Sequence, residues 1–291
     1  MKMQMTEGGA EGKLVVLALD TSTASLAAAL IRGGQTLASV QSLAERNHSL
    51  ATVSKLKSLL EETGIKPDEL DGIAIGRGPG SYTGMRIAVS VGKTLAWVWD
   101  KPLVGVSSLE ALAYGAWKSV GSVADAQLGI RHKDDERHAA VINRPRWLVP
   151  IMDARRGQVY TSAFEVASDG SWNRSAADGV RLMRDWVAGL EEKLRVLPQA
   201  AVPAELWVIG DLSMHEAECQ RLQELCSRNG TGCQVRRVPF TMEGTAVAVL
   251  GAVRLAAGER DEVHAFVPNY TQLTEAEVKL NKSREEGAGA S

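Results

Sequence analysis

Two distant stretches of this chain follow one pattern, and that repetition limits its fold more than any other feature. Leu14–Leu19 is an unbroken apolar run that stops at Asp20, passes through Thr21-Ser22-Thr23 and resumes as a second strand over Ser25–Ile31. Trp147–Met152 does the same: an apolar run, then Asp153, the turn Ala154-Arg155-Arg156-Gly157, and a strand over Gln158–Glu165. A short continuous apolar run predicts a strand covered on both faces. Asp, Ser and Thr end it by bonding their own backbone. The copies share pattern and almost no identity. Two similar lobes facing a cleft are the expectation, and 291 residues suffice for them.

The first copy continues with the turn Arg32-Gly33-Gly34 and a strand over Thr36–Gln41. Asn47 then caps a helix through Glu62, with Leu50, Val53, Leu56 and Leu60 as its stripe and Gly64 as its stop. A strand over Leu70–Ile75, a tight loop at Gly76–Ser81, a helix from Thr83 to Trp99 and a strand at Leu103–Val106 complete it. The order β-β-β-α-β-α-β is that of a ribonuclease-H-like opening. An α/β protein with a mixed, helix-flanked sheet in each lobe follows. The second half adds strands at Leu206–Ile209 and Gln234–Val238, and helices over Met214–Arg228 and Thr245–Ala257. The expected division is an N-terminal lobe over 1–115, with 1–13 flexible, and a C-terminal lobe over 116–275. Residues 118–145 lack periodicity and suggest a mobile insertion; 276–291 suggest a flexible tail.

Several functions are excluded early. A net charge of −2 rules out a globally basic nucleic-acid binder. Met1–Lys13 has no signal-peptide core, and the apolar runs are too short to cross a bilayer, so a cytoplasmic protein is expected. Cys219, Cys226 and Cys233 are odd in number and form no CxxC pair, which argues against a disulfide framework and against zinc. The five histidines make no HxxxH or HExxH pair, and no GxSxG elbow occurs. No metal site or catalytic residue is expected.

The remaining chemistry lies at two places. Asp20 ends the first strand, where open α/β sheets place ligands. A metal-binding nuclease would need further carboxylates beside it, and no helix offers them; Thr21, Ser22 and Thr23 fit a hydroxyl-rich phosphate loop better, and the remaining reading is that Asp20 and Thr21 simply cap a turn. Gly76-Arg77-Gly78-Pro79-Gly80-Ser81-Tyr82-Thr83-Gly84-Met85-Arg86 leads into a helix N-terminus. It would serve equally as an anion cradle or as a tight strand-to-helix turn. Asp20, Thr21, Ser22, Gly78 and Gly80 therefore make a candidate, vestigial nucleotide or phosphate site. Gly92-Lys93-Thr94 lacks the earlier glycine of a P-loop, since Ile87 stands there.

These segments, with Gly105–Leu112, Met152–Tyr160 and Val267-Pro268-Asn269-Tyr270, resemble the TsaB (YeaZ) family over most of residues 14–275. The resemblance implies a two-lobed fold of the actin, Hsp70 and sugar-kinase type. It also implies a noncatalytic subunit of the bacterial machinery that makes threonylcarbamoyladenosine at position 37 of tRNAs reading ANN codons. The paralogue TsaD performs the transfer, this chain binds and activates it, and the ATPase TsaE joins them. tRNA is met only through the complex, and a homodimer can form in isolation. TsaD holds its metal through a His pair; the matching positions here are Ser108 and Leu112, which cannot. The chain requires no cofactor on this reading, with weak ATP or ADP binding at most. The family pairs through the helices near 47–62 and 83–99, which implies an interface of His48, Val53, Leu56, Leu60, Tyr82, Arg86, Val91 and Leu95. The competing function is a stand-alone nucleotide-binding phosphotransferase or ATPase using Asp20 and the glycine loop.

Overall fold

The computed structural model describes residues 13–43, 48–127 and 144–271. Its elements run twice through one order. The first round is β1 (Val15–Asp20), β2 (Ser25–Arg32), β3 (Gln35–Leu43), α1 (His48–Thr63), β4 (Gly72–Gly76), α2 (Tyr82–Val98), β5 (Leu103–Val106) and α3 (Ser108–Gln127). The second is β6 (Arg146–Asp153), β7 (Gln158–Val166), β8 (Trp172–Leu182), α4 (Met183–Val196), β9 (Glu205–Gly210), α5 (Glu216–Arg228), β10 (Gln234–Pro239) and α6 (Gly244–Ala256). The five-stranded sheets, β3-β2-β1-β4-β5 and β8-β7-β6-β9-β10, have matching orders. In each, three strands meander antiparallel and two more join in parallel through helical crossovers. The repetition in the sequence is thus a repetition of topology.

Every residue of β1 is buried because both faces of its sheet are covered. Leu56 and Leu59 of α1 and Ala88 and Val89 of α2 cover one face, against Leu17, Leu19, Ile73 and Ile75. The other face meets α6, which approaches so closely that a Cβ on Gly251 would lie 2.2 Å from that of Ala74. The apolar cluster there joins Val16, Ala18 and Ala74 of the first sheet to Leu148, Phe164 and Trp207 of the second. Leu109, Leu112 and Ala113 of α3, and Ala246, Val247 and Leu250 of α6, belong to the same cluster. The helix that closes each round therefore lies between the sheets, and one core spans both lobes. Polar bonds pin the start of α3 to the second sheet. Arg174 Nη2 lies 2.6 Å from Glu110 Oε2, and the Ser107 hydroxyl donates to Asp178 at 2.7 Å.

Two expectations need correction. The division at 115/116 falls inside α3, and Lys118–Gln127 is helix, not the start of an insertion. Trp117 and Val120 continue the apolar face set by Leu109, Ala113 and Ala116, packing against the shared core. The rest of the expected insertion, residues 128–143, lies outside the described residues. So do the expected cap Asn47, the N-terminal residues 1–12 and the tail 276–291. The structure also adds α3, β8 and α4.

Candidate functional site

Asp20 stands at the carboxyl end of β1, and its side chain is fully buried. Oδ1 accepts from the Ser22 N–H at 2.6 Å, and Oδ2 accepts from the Ser108 hydroxyl at 2.5 Å. The Ser108 oxygen in turn accepts the Gly78 N–H at 3.0 Å, and the Ser108 N–H donates to the Gly78 carbonyl at 2.9 Å. One carboxylate thus joins β1, the loop after β4 and the start of α3. Burial is the largest influence on it and pushes its pKa above 3.8, against the bonds from Ser108 and Ser22 that favour the charged form. Gly76 leaves the space this needs, since a Cβ there would sit 1.8 Å from Oδ2.

The glycine loop closes over the turn after β1. The Ser81 N–H donates to the Ser22 carbonyl at 2.7 Å, and the Thr21 hydroxyl to the Gly84 carbonyl at 2.6 Å. Ser81 caps α2 by accepting from the Gly84 N–H at 3.4 Å. A Cβ on Gly80 would lie 2.3 Å from the Ser22 carbonyl oxygen, and one on Gly78, at φ +93°, 2.0 Å from Met85 Sδ. All five residues of the expected phosphate site therefore meet. Asp20, Thr21 and Ser22 are buried, and the polar contacts made within the group run between the protein's own atoms, but the Ser22 hydroxyl oxygen has no hydrogen-bond partner among the described residues.

The chain after α6 straps this corner. The Asn269 N–H donates to the Arg77 carbonyl at 2.7 Å, and Lys93, mid-way along α2, donates to the carbonyls of His264 at 2.8 Å and Phe266 at 3.0 Å. The Tyr270 ring lies 5.4 Å from that of Tyr82, and the Arg86 guanidinium sits 5.1 Å above the Tyr82 ring. Together they make an exposed stack beside the start of α2.

The expected interface residues divide by burial. Val53, Tyr82 and Arg86 are exposed. Leu60, Val91 and Leu95 are half-buried and pack on the first sheet's outer cluster. Leu56 is 3% exposed and belongs to that cluster, so its place on a partner surface is corrected: it holds α1 to its own sheet. His48 begins α1. Val98, which belongs to the apolar stripe expected to face a partner helix, is 62% exposed on α2; sequence reasoning missed Trp97, 68% exposed beside it, and Tyr270 in the strap. Large apolar side chains left exposed on a helix otherwise seated on a sheet are the available signal.

The second lobe has a counterpart corner. Asp153 ends β6, its Oδ1 lying 3.0 Å from Nε2 of the buried His215. The next residues, Arg155, Arg156 and Gly157, have φ of +65°, +53° and +72°. Left-handed backbone costs a non-glycine residue about 1 kcal/mol. The hairpin is closed by the Ala154 N–H to the Gln158 carbonyl and the Gln158 N–H to the Arg155 carbonyl, both at 2.9 Å. His132 and His138 lie outside the described residues. Among the described residues no group of three or more His, Cys, Asp or Glu is placed to hold a metal ion. Cys219, Cys226 and Cys233 are free thiols, all buried.

Two sheets of matching order, each bearing an aspartate at the end of its first strand and facing the other across a shared core, define the actin-like, ribonuclease-H-like class. A family model described as "TsaD: tRNA N6-adenosine threonylcarbamoyltransferase" matches residues 39–127. The chain is 33% identical to the tRNA threonylcarbamoyladenosine biosynthesis protein TsaB of Bacillus subtilis over 93% of its own length and 100% of that protein. It is 28% identical to the Escherichia coli TsaB over 57% of its length and 61% of that protein. The solved structure of YeaZ from Pseudomonas aeruginosa superposes with a TM-score of 0.61 at 23% identity, covering 88% of this chain and 99% of that one. The chain belongs to the TsaB family.

Proposed function

We propose that this chain is a noncatalytic, cytoplasmic subunit of threonylcarbamoyladenosine synthesis that binds a TsaD-type transferase and activates it. The observation that carries this reading is the α2 surface, where Tyr82, Arg86, Trp97 and Val98 stand exposed on a helix whose other side is fixed to its sheet. The TsaD family model matches the segment that contains α1 and α2. Paralogues that share those helices can pair through a pseudo-twofold contact, and the same face would let two copies of this chain pair in isolation. TsaE joins that assembly, and tRNA is met there. A stand-alone phosphotransferase would need the Asp20 carboxylate free to face a nucleotide-bound cation, whereas both its oxygens accept bonds from Ser22 and Ser108. ATP or ADP bound by this chain alone is accordingly expected to be weak.

The test is threonylcarbamoyl transfer to an ANN-decoding tRNA by purified TsaD and TsaE, with and without this chain. Transfer that depends on the chain and persists in Asp20→Asn supports the reading; transfer indifferent to the chain overturns it. Arg86→Glu is expected to weaken pull-down of TsaD at least tenfold while circular dichroism stays unchanged, since it sets a negative charge where a guanidinium stacks on Tyr82. Undiminished capture would remove α2 from the interface.

A further inference from the structure

The two lobes treat equivalent turns differently. After β1, the turn is covered: Thr21 and Ser22 are buried and bonded to Gly84 in the first turn of α2 and to its cap Ser81. After β6, the corresponding crossover loop meets Asp153 through His215. The tip beyond is exposed at Arg155, Arg156 and Gly157. Neither guanidinium has a hydrogen bond or ion pair among the described residues. Asn-Gly or Gly-Gly would adopt this left-handed geometry without strain; the chain carries two consecutive arginines there instead. Backbone strain held at an exposed tip marks side chains that are used. The neighbouring acids are already engaged: Asp153 by His215, and Asp211 by the Ser213 N–H at 3.0 Å. Helix α4 starts beneath the tip, its Met183 N–H donating to the Gly157 carbonyl at 2.9 Å; Arg184, next on that helix, is paired with Asp185 at 3.1 Å, which leaves Arg155 and Arg156 as the unpaired cations of the tip among the described residues.

From this geometry we infer that the Arg155-Arg156 tip is a phosphate-contacting point of the second lobe for the backbone of an RNA. A convex hairpin cannot enclose a small phosphoester, whereas a polyanion passing over it offers phosphates in succession to adjacent guanidinium groups. The choice of RNA rests on the tRNA-modification reading above. Such contacts position the RNA and carry no sequence preference.

The experiment measures binding of a labelled tRNA by the complete assembly across a salt series, with wild-type chain and with the double variant Arg155→Asn, Arg156→Asn. Asparagine tolerates the left-handed backbone, so the variant is expected to melt at or above the wild-type temperature and to capture TsaD equally well. It should bind tRNA roughly tenfold more weakly, with the slope of log affinity against log salt smaller by between about one and two. Unchanged tRNA affinity and slope, in an assembly that needs this chain for transfer, overturn the assignment. Loss of TsaD capture also overturns it, by making the tip a protein contact. An assembly whose transfer ignores this chain overturns both this inference and the functional reading beneath it.

Discussion

Asp20 holds the Ser22 N–H and the Ser108 hydroxyl, while the Ser22 hydroxyl is buried without a hydrogen-bond partner among the described residues, and this corner can be tested residue by residue. Asp20→Ala would strip acceptors from the buried Ser22 N–H and Ser108 hydroxyl, and is expected to cost about 2 kcal/mol in urea unfolding. Asp20→Asn should cost less and should reveal the charge. The folded-state pKa of Asp20 lies above 3.8 because burial disfavours the ionised form. Its contribution to stability therefore grows as pH falls through that folded value, and levels off below 3.8. Wild type should gain stability relative to Asp20→Asn between pH 7.5 and pH 4; a constant difference would show the carboxyl titrating normally. Burial also pushes the thiols of Cys219 and Cys233 up to about 11 and about 12. At pH 8 less than roughly one in a thousand of either is thiolate, so a thiol reagent should modify them only after denaturant is added. Much of this corner was legible in the sequence, because an aspartate, hydroxyls and glycines announce turn chemistry locally. Ser108 as partner of Asp20 was not, since 88 residues separate them and nothing local marks the bond.

Elements with strong period or punctuation were found close to their true bounds. Helix α2 was expected from Thr83 and starts at Tyr82 behind the Ser81 cap, and β5 is Leu103–Val106 as expected. The stripe of α1 was placed slightly off: Leu56 and Leu59 face the sheet, while Val53 faces outward. Strand β8 escaped because it is an edge strand, mostly half-exposed, with register shifts against β7, so its sequence shows no clean alternation. Helix α4 does carry a stripe, Met183, Trp186, Val187, Leu190 and Leu194, but charged residues dilute it. Two glycine substitutions separate packing from propensity at this scale. Gly84→Ala would place a Cβ 1.8 Å from the Thr21 carbonyl oxygen at the start of α2, and is expected to destabilise by about 3 kcal/mol. Gly189→Ala, inside α4 with nothing within 4 Å, should stabilise by about 0.8 kcal/mol. Thermal melts of both variants check the pair, and similar shifts would contradict the packing described at α2.

At the scale of the molecule, the duplication was legible and the sharing of helices between its halves was not. Local pattern cannot show that α3 and α6 enter one cluster with strands of both sheets. The lobes should therefore unfold together. Far-ultraviolet circular dichroism, which reports both sheets, and the fluorescence of a Trp97→Phe, Trp99→Phe variant, whose five remaining tryptophans lie from α3 onward, should trace one coincident transition; two separated transitions would mean that the shared core contributes little. The same arrangement bears on synthesis. A ribosome delivers β1 to β5 long before Gly244–Ala256, the helix that covers their inner face. Until that segment emerges, the nascent first half presents Ala18, Ala74 and Val104 to solvent. Prematurely ended chains should consequently be substrates for chaperones and proteases, and a gene split between the halves should yield two insoluble fragments that recover only when made together.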